Sequence, residues 1–312
     1  MGPTKAVRPT VNSLMVDFCD VHIGDTTLKD KHVFYAADTV FKHYGFGDGN
    51  PWNTSVQYKD NTVRRDTFTV GSGFTATYHI QVGSGVNTSA FRAVVEQPGL
   101  WSVTINGHPV AAQKGQWWLD RAWGVYAAGA FLHPGDNELT VKANRMSVYA
   151  EIEPVYILGD FNLDAADKGW RIVPPGPLGL GSWKAQGMPL YGGVVRYETT
   201  CAIPYPQGRY AVHLGDWKGT VASVEVNGRP AGINTFGDVD VTDLLKPGEN
   251  HIAVNVTGSL RNLLGPHHNN PAPGIASPWH WRNVRTYPSG RDYSTLDYGL
   301  MQDLTLVHMR NK

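Results

Sequence analysis

Three groups of residues in this chain have the types and spacing to do chemistry. The densest is KGQWWLDRAWGVY at 114–126, where Trp117, Trp118, Trp123 and Tyr126 surround Asp120 and Arg121. An indole face stacks on the apolar face of a pyranose, and an acid beside a guanidinium can hold its hydroxyls, so the segment reads as a sugar platform. The same residues also suit packing, because Trp117 and Leu119 alternate as a core-facing strand would. A second group lies in the long irregular stretch 258–293. There Arg261, Asn262, His267, Trp279 and Trp281, with Tyr287, form a rival surface for a ligand or a neighbouring domain.

The third group is ionisable. Glu151 and Glu153 fall in MSVYAEIEPVYI at 146–157, read as a closing strand, so they share one face at i and i+2. Glycoside hydrolysis needs two carboxyl groups facing each other across a bond, and this pair is too local for that. A solvated or salt-bridged strand edge is expected. His267, His268, His280 and Asp292 have the side chains of a zinc site. Adjacent histidines on extended chain point to opposite sides, which favours hydrogen bonding within a packed loop instead. No nucleophile elbow and no phosphate-binding glycine loop follows a strand.

The elements that would carry these residues are written twice. VTINGHPV at 103–110 returns as VEVNGRPA at 224–231, each a short alternating strand leading into Asn-Gly. That pair favours a tight hairpin turn, because both of its residues reach positive φ at low cost. Downstream, AFLHPGDNELTV at 130–141 stands against DLLKPGENHIAVNV at 243–256; upstream, GFTATYHIQV at 73–82 stands against GVVRYETTCAI at 193–203. From the hairpin Asn to the Pro-Gly corner the first copy uses 28 positions and the second 20, so the tryptophan segment sits in an insertion. One helix is expected at 31–43, where Val33, Phe34, Ala37, Val40 and Phe41 make a single stripe. A strand is expected at 14–23.

Composition narrows the partners. The 312 residues, 41% apolar and 17% charged, suffice for two cores. Lys+Arg and Asp+Glu are 27 each, so no net field selects nucleic acid or an anionic membrane. No apolar run reaches transmembrane length, and MGPTKAVRPT lacks the apolar core of a secretion signal. Cys19 and Cys201, each in a strand-like setting, read as buried thiols, with a disulfide between the copies as the alternative.

Several longer phrases resemble a known group. VDVTDLLKPGENHIAVNV at 239–256 looks like the sugar-binding-type sandwich of family 2 glycoside hydrolases. IEPVYILGDF at 152–161, LGSWKAQGMPLYGGVVRY at 180–197, GSLRNLLGPHH at 258–268 and DYGL at 297–300, in that order, resemble the C-terminal region of large bacterial glycoside hydrolase-like proteins, including family 106 rhamnosidases. The resemblance implies an all-β protein of two tandem galactose-binding-like jelly-roll sandwiches, at 12–157 and 158–312, with one short N-terminal helix. It implies a secreted or periplasmic setting and a non-catalytic role beside an upstream catalytic barrel, binding or bracing a plant or algal polysaccharide. It calls for no cofactor and leaves room for a structural calcium ion. The alternatives are a short hydrolase with its active site between the sandwiches, and a purely structural module.

Overall fold

The structure is a computed structural model that describes residues 1–53, 59–234, 237–265 and 286–309. It is all-β, built from mainly antiparallel sheets with few short helices among the described residues. Two compact units divide it. The larger holds residues 13–174 and 286–294; the smaller holds 1–12, 175–265 and 295–309. The division expected between 157 and 158 therefore falls at 174/175. The reason is pairing: strand Trp170–Val173 joins Phe74–Val82 in parallel, Asn162–Ala165 joins Trp170–Val173, and both stay with the larger unit. The N-terminal strand Lys5–Val7 pairs with Val194–Ile203 in the smaller one. Among the described residues no helix is long and apolar enough to cross a membrane.

The repeat is real at the level of sheet order. In the larger unit Phe74–Val82, Gly135–Ala143, Ser102–Ile105 and His108–Val110 are neighbours in that sequence; in the smaller, Val194–Ile203, Gly248–Thr257, Val221–Val226 and Arg229–Ile233 are. Both Asn-Gly pairs turn with positive φ: 49° and 79° at Asn106 and Gly107, 52° and 74° at Asn227 and Gly228. The matched order extends to side chains. Asn106 Nδ2 donates to Asn137 Oδ1 at 2.8 Å and to Phe131 O at 2.8 Å, while Asn106 Oδ1 accepts from Glu138 N at 2.8 Å. Asn227 Nδ2 donates to Asn250 Oδ1 at 2.9 Å and to Leu244 O at 3.0 Å, while Asn227 Oδ1 accepts from His251 N at 3.1 Å. Asn137 and Asn250, both buried, in turn close their Pro-Gly corners by bonds to His133 and Gly135, and to Lys246 and Gly248.

Two strand expectations need correction. The strand expected at 14–23 is two, Asn12–Val16 and Phe18–Ile23, interrupted at buried Asp17, whose Oδ1 accepts from Tyr293 Oη at 2.7 Å. The closing strand expected at 146–157 is only Val155–Gly159. Residues 144–154 make no ladder, and Pro154 lacks the N–H a ladder would use. The helix forms at Val33–His43 with Val33, Ala36, Ala37, Val40 and Phe41 buried, and Phe34 only part-buried. Cys19 and Cys201 are buried free thiols.

The core of the smaller unit explains several of its longer phrases. Trp183 Nε1 donates to Tyr197 Oη at 2.8 Å, and that hydroxyl accepts from Leu300 N at 3.2 Å. Ser182 Oγ donates to Asp297 Oδ1 at 2.6 Å, and Ser259 Oγ meets Tyr298 Oη at 2.6 Å.

Removing a buried amide that makes several bonds leaves carbonyls and N–H groups unsatisfied. Asn137→Ala and Asn250→Ala should each lower stability by about 2–4 kcal/mol in urea unfolding. Asn137→Asp should do no better, because it sets a carboxylate oxygen against the carbonyls of His133 and Gly135. Retention of wild-type stability in the Asp variant would count against this account.

Candidate functional site

The site lies in the larger unit and is built from three separated pieces of chain. Strand Arg92–Glu96 ends where Gln97 takes a left-handed φ of 48° and Pro98 follows, which leaves Glu96 at the strand's tip. Trp101 Nε1 holds the Glu96 carbonyl at 3.0 Å. The second piece, 149–153, places buried Ile152 between Glu151 and Glu153. Tyr78 Oη donates to the Glu153 carbonyl at 2.6 Å and fixes the backbone. The third is the loop after the helix. There Asn50 Nδ2 donates to Glu151 Oε1 at 2.6 Å, while Asn50 N is held by Asp38 Oδ1 at 2.9 Å.

The first two pieces line a cavity of about 80 Å³, with Glu96, Glu151 and Glu153 beside Tyr78, Trp101 and Tyr149. The ring of Tyr149, 48% exposed, stacks on Trp52 with centroids 5.8 Å apart and 19° between planes. Beside it, Trp123 stacks on Tyr156 at 5.0 Å and 18°, with Trp118 packed against both at 5.9 and 5.4 Å. Trp123 stands opposite Glu96 on the paired strand, so the aromatic group adjoins the acids.

Burial raises all three carboxyl pKa values. For Glu96 the charges of Glu151 and Asp120 add to burial, against the polar influence of the Trp123 indole; for Glu151 the Asn50 bond opposes burial. Glu153 is pushed up to about 8, first by burial and then by the charges of Glu151 and Glu96. At neutral pH it is mainly a protonated acid, able to donate a hydrogen bond. Among the described residues no group of three or more His, Cys, Asp and Glu side chains is arranged to hold a metal ion.

The expected site residues divide. Trp118 and Trp123 come together, but as a half-buried stack with Tyr156 rather than as an open platform. Trp117, 53% exposed, is the one indole of the three that stands out. Asp120 and Arg121 are exposed, and Asp120 Oδ1 accepts from Ala122 N at 2.7 Å to brace the hairpin turn. Tyr126 is buried core, which takes it out of any sugar contact. Arg261 and Asn262 belong to the smaller unit. Asn262 is buried there, with its amide spent on Pro189 O at 3.1 Å and Leu296 O at 2.8 Å, so it ties a loop and offers nothing to a ligand. Tyr287 stacks on Phe18 at 4.1 Å. His267, His268, Trp279, His280 and Trp281 lie outside the described residues.

Sequence reasoning missed Glu96, Trp52, Trp101, Tyr149 and Tyr156. It also set Glu151 and Glu153 on a solvated strand edge. They are on no strand, and their third partner comes from a strand more than fifty positions upstream. The only local signal was the pair of acids flanking an apolar residue just before a proline.

The raised Glu153 pKa makes folding pH-dependent in a defined direction. Between about 4.5, the ordinary glutamate value, and about 8, the folded chain binds this proton more fully than the unfolded chain. The contribution of Glu153 to stability therefore falls across that window and levels off above it. Glu153→Gln should match wild type near pH 4 and be more stable than wild type at pH 8.5 in urea titrations. A difference that does not change with pH would sink the assignment.

No protein-family model and no curated protein matches the chain. Among solved structures it is similar to a rhamnosidase from Novosphingobium sp. PP1Y, at 17% identity and TM-score 0.29, over 77% of this chain and 23% of that one. It is similar also to the Streptomyces avermitilis α-L-rhamnosidase complexed with L-rhamnose (14%, TM-score 0.33, 82% and 25%) and to a β-D-mannosidase from Dictyoglomus thermophilum (10%, TM-score 0.32, 80% and 31%). The chain spans less than a third of the length of each of these proteins.

Proposed function

We propose that this chain is a carbohydrate-associated, non-catalytic region of a glycoside hydrolase system, and that its larger unit binds a plant or algal polysaccharide beside a catalytic barrel. One observation carries the reading: an exposed ring, Tyr149, braced by Trp52, stands at the mouth of a recess whose walls are carboxyl groups. A sugar needs an apolar surface for its ring face and hydrogen-bonding groups for its hydroxyls, and this corner supplies both. Glu153 can donate and Glu151 can accept, so hydroxyls of either polarity find a partner. Trp117, on the hairpin that also carries Trp118, is a second exposed ring on which a longer chain can lie.

A second reading has a specific observation in its favour. A carboxyl group held protonated near neutral pH beside two others is what the acid of a glycosidase requires. Against it, the recess is small beside the clefts of roughly 300 Å³ and more that enclose small molecules.

Two measurements separate the readings. In affinity electrophoresis against a panel of plant and algal polysaccharides, Tyr149→Ala should weaken binding about 3–10-fold with little change in melting temperature, since an exposed ring contributes little to folding. Trp123→Ala should instead lose about 2 kcal/mol of stability, because its half-buried ring stacks on Tyr156 and packs at a tilt against Trp118. The chain should release no aryl group from a panel of aryl glycosides that includes rhamnosides. Turnover that survives repurification and vanishes in Glu153→Gln would establish the hydrolase instead.

A further inference from the structure

The smaller unit has a cavity of its own, of about 390 Å³, on the outer face of its five-stranded sheet. Register explains why it is there. Lys5 stands opposite Glu198, Glu198 opposite Ala253, and Ala253 opposite Glu225, so one row of side chains crosses four strands. On that row the central strand Gly248–Thr257 offers only a methyl group between two longer acids, and the floor is left open. The larger unit fills the matching row. There Asp20, Thr77, Thr140 and Thr104 stand in the same register, and Thr77 Oγ1 meets Thr140 Oγ1 at 2.9 Å. The two copies share a strand order and differ at this face.

Its walls are fixed by side-chain bonds. Arg196 Nε donates to Glu198 Oε1 at 2.6 Å and Arg196 Nη1 to Glu225 Oε2 at 2.8 Å, a bridge that spans the central strand. The same Nη1 reaches Asn255 Oδ1 at 3.3 Å, and Asn255 Nδ2 donates to Glu225 Oε1 at 2.8 Å. Gly2 N donates to Thr200 O at 2.7 Å and Gly2 O accepts from Thr199 Oγ1 at 2.7 Å, which pins the segment carrying Pro3 and Lys5. Ion pairs this exposed are worth about 0–1 kcal/mol each, so stability accounts poorly for so ordered a network. We infer that the cleft is a second saccharide site, which takes a neutral oligosaccharide by the edges of its sugar rings. The inference rests on the carbohydrate-associated reading above and adds a site in the other unit. The volume falls in the range of roughly 300–1,000 Å³ that small-molecule sites occupy. Among the lining residues Lys5 and Arg196 balance Glu198 and Glu225, so no net charge selects an anion or a cation. Carboxylate acceptors stand beside guanidinium, ammonium and hydroxyl donors, and a sugar hydroxyl is donor and acceptor at once. No Trp, Tyr or Phe lines the cleft, so recognition there runs through hydroxyls and not through a stacked ring face. Arg196 holds the Glu225 carboxyl below the usual carboxylate range, so this acid accepts hydrogen bonds and stores no proton for hydrolysis.

The test is amide NMR on the full chain at pH 7, titrated with β-1,4-linked trimers of glucose, mannose and xylose and with two charged trimers, of galacturonic acid and of glucosamine. At least one neutral trimer should shift the amides of Glu198, Glu225 and Ala253, and both charged trimers should bind there at least about fivefold more weakly. Ala253→Thr, which puts on the floor the residue type that the other copy carries, should weaken the neutral trimer at least about fivefold with the melting temperature kept. Glu225→Gln, which removes a wall charge at a half-exposed pair, should weaken it about threefold or more. Shifts confined to the larger unit, equal binding of the charged trimers, or an affinity that survives in both variants would each overturn the inference and leave the saccharide reading of the larger unit standing. If neither these trimers nor the polysaccharide panel binds anywhere on the chain, the two fall together.

Discussion

The bond between two asparagines is the constraint on which both units rest. In each, the amide of the hairpin residue, Asn106 or Asn227, donates to the oxygen of a buried asparagine, Asn137 or Asn250, in the Pro-Gly corner. A buried amide of this kind must have all its partners or none of the arrangement is worth making, since each orphaned group costs as much as a bond gains. The tie therefore sets where the central strand starts. That start fixes its register with both neighbours, for example Leu139 opposite Tyr78 on one side and Ile105 on the other. The repeated phrases are thus two halves of one hydrogen-bonded device, and their repetition is the requirement that both halves be present.

The site follows from that register. Val141 and Tyr78 stand on the two paired strands and form part of the cavity floor, and Tyr78 also anchors the backbone of Glu153. The insertion in the first copy forms the hairpin of Ala112–Trp118 and Asp120–Ala127, which lies on Arg92–Glu96 with Trp123 opposite Glu96. One difference between the larger unit and its counterpart is therefore a hairpin at one edge, which brings indoles to the tip of a strand that ends in an acid. In the smaller unit the equivalent span carries only Val239–Asp240, paired with Arg209–Leu214. Its conspicuous residues, Trp183, Tyr197 and Asn262, are spent on holding the core and a loop together.

Much of the fold was legible because period-two alternation and Asn-Gly turns are local signals, and here they agree with the tertiary result. The helix at Val33–His43 was legible for the same reason, as one stripe of apolar residues. The boundary was not: Trp170–Val173 reads as the start of a new domain and becomes an added strand beside Phe74–Val82, a pairing between residues some ninety positions apart. The span 146–157 misled in the opposite way, since its apolar spacing suggests a ladder that Pro154 and the absence of a partner deny it.

What the sequence by itself determined was the two-copy β architecture, both hairpins, the inserted tryptophan segment and the pair of acids around Ile152. Each is read from short local phrases, compared where needed between the two copies. Only the tertiary structure decided which tryptophans are stacked and which is exposed, that Tyr126 and Asn262 are interior, and that Glu96 joins Glu151 and Glu153 beside Tyr149. The reason is physical: exposure and a perturbed carboxyl pKa are properties of what surrounds a side chain. The surroundings of these acids come from the strand before the hairpin, the loop after the helix and the segment before Pro154, which no spacing along the chain connects.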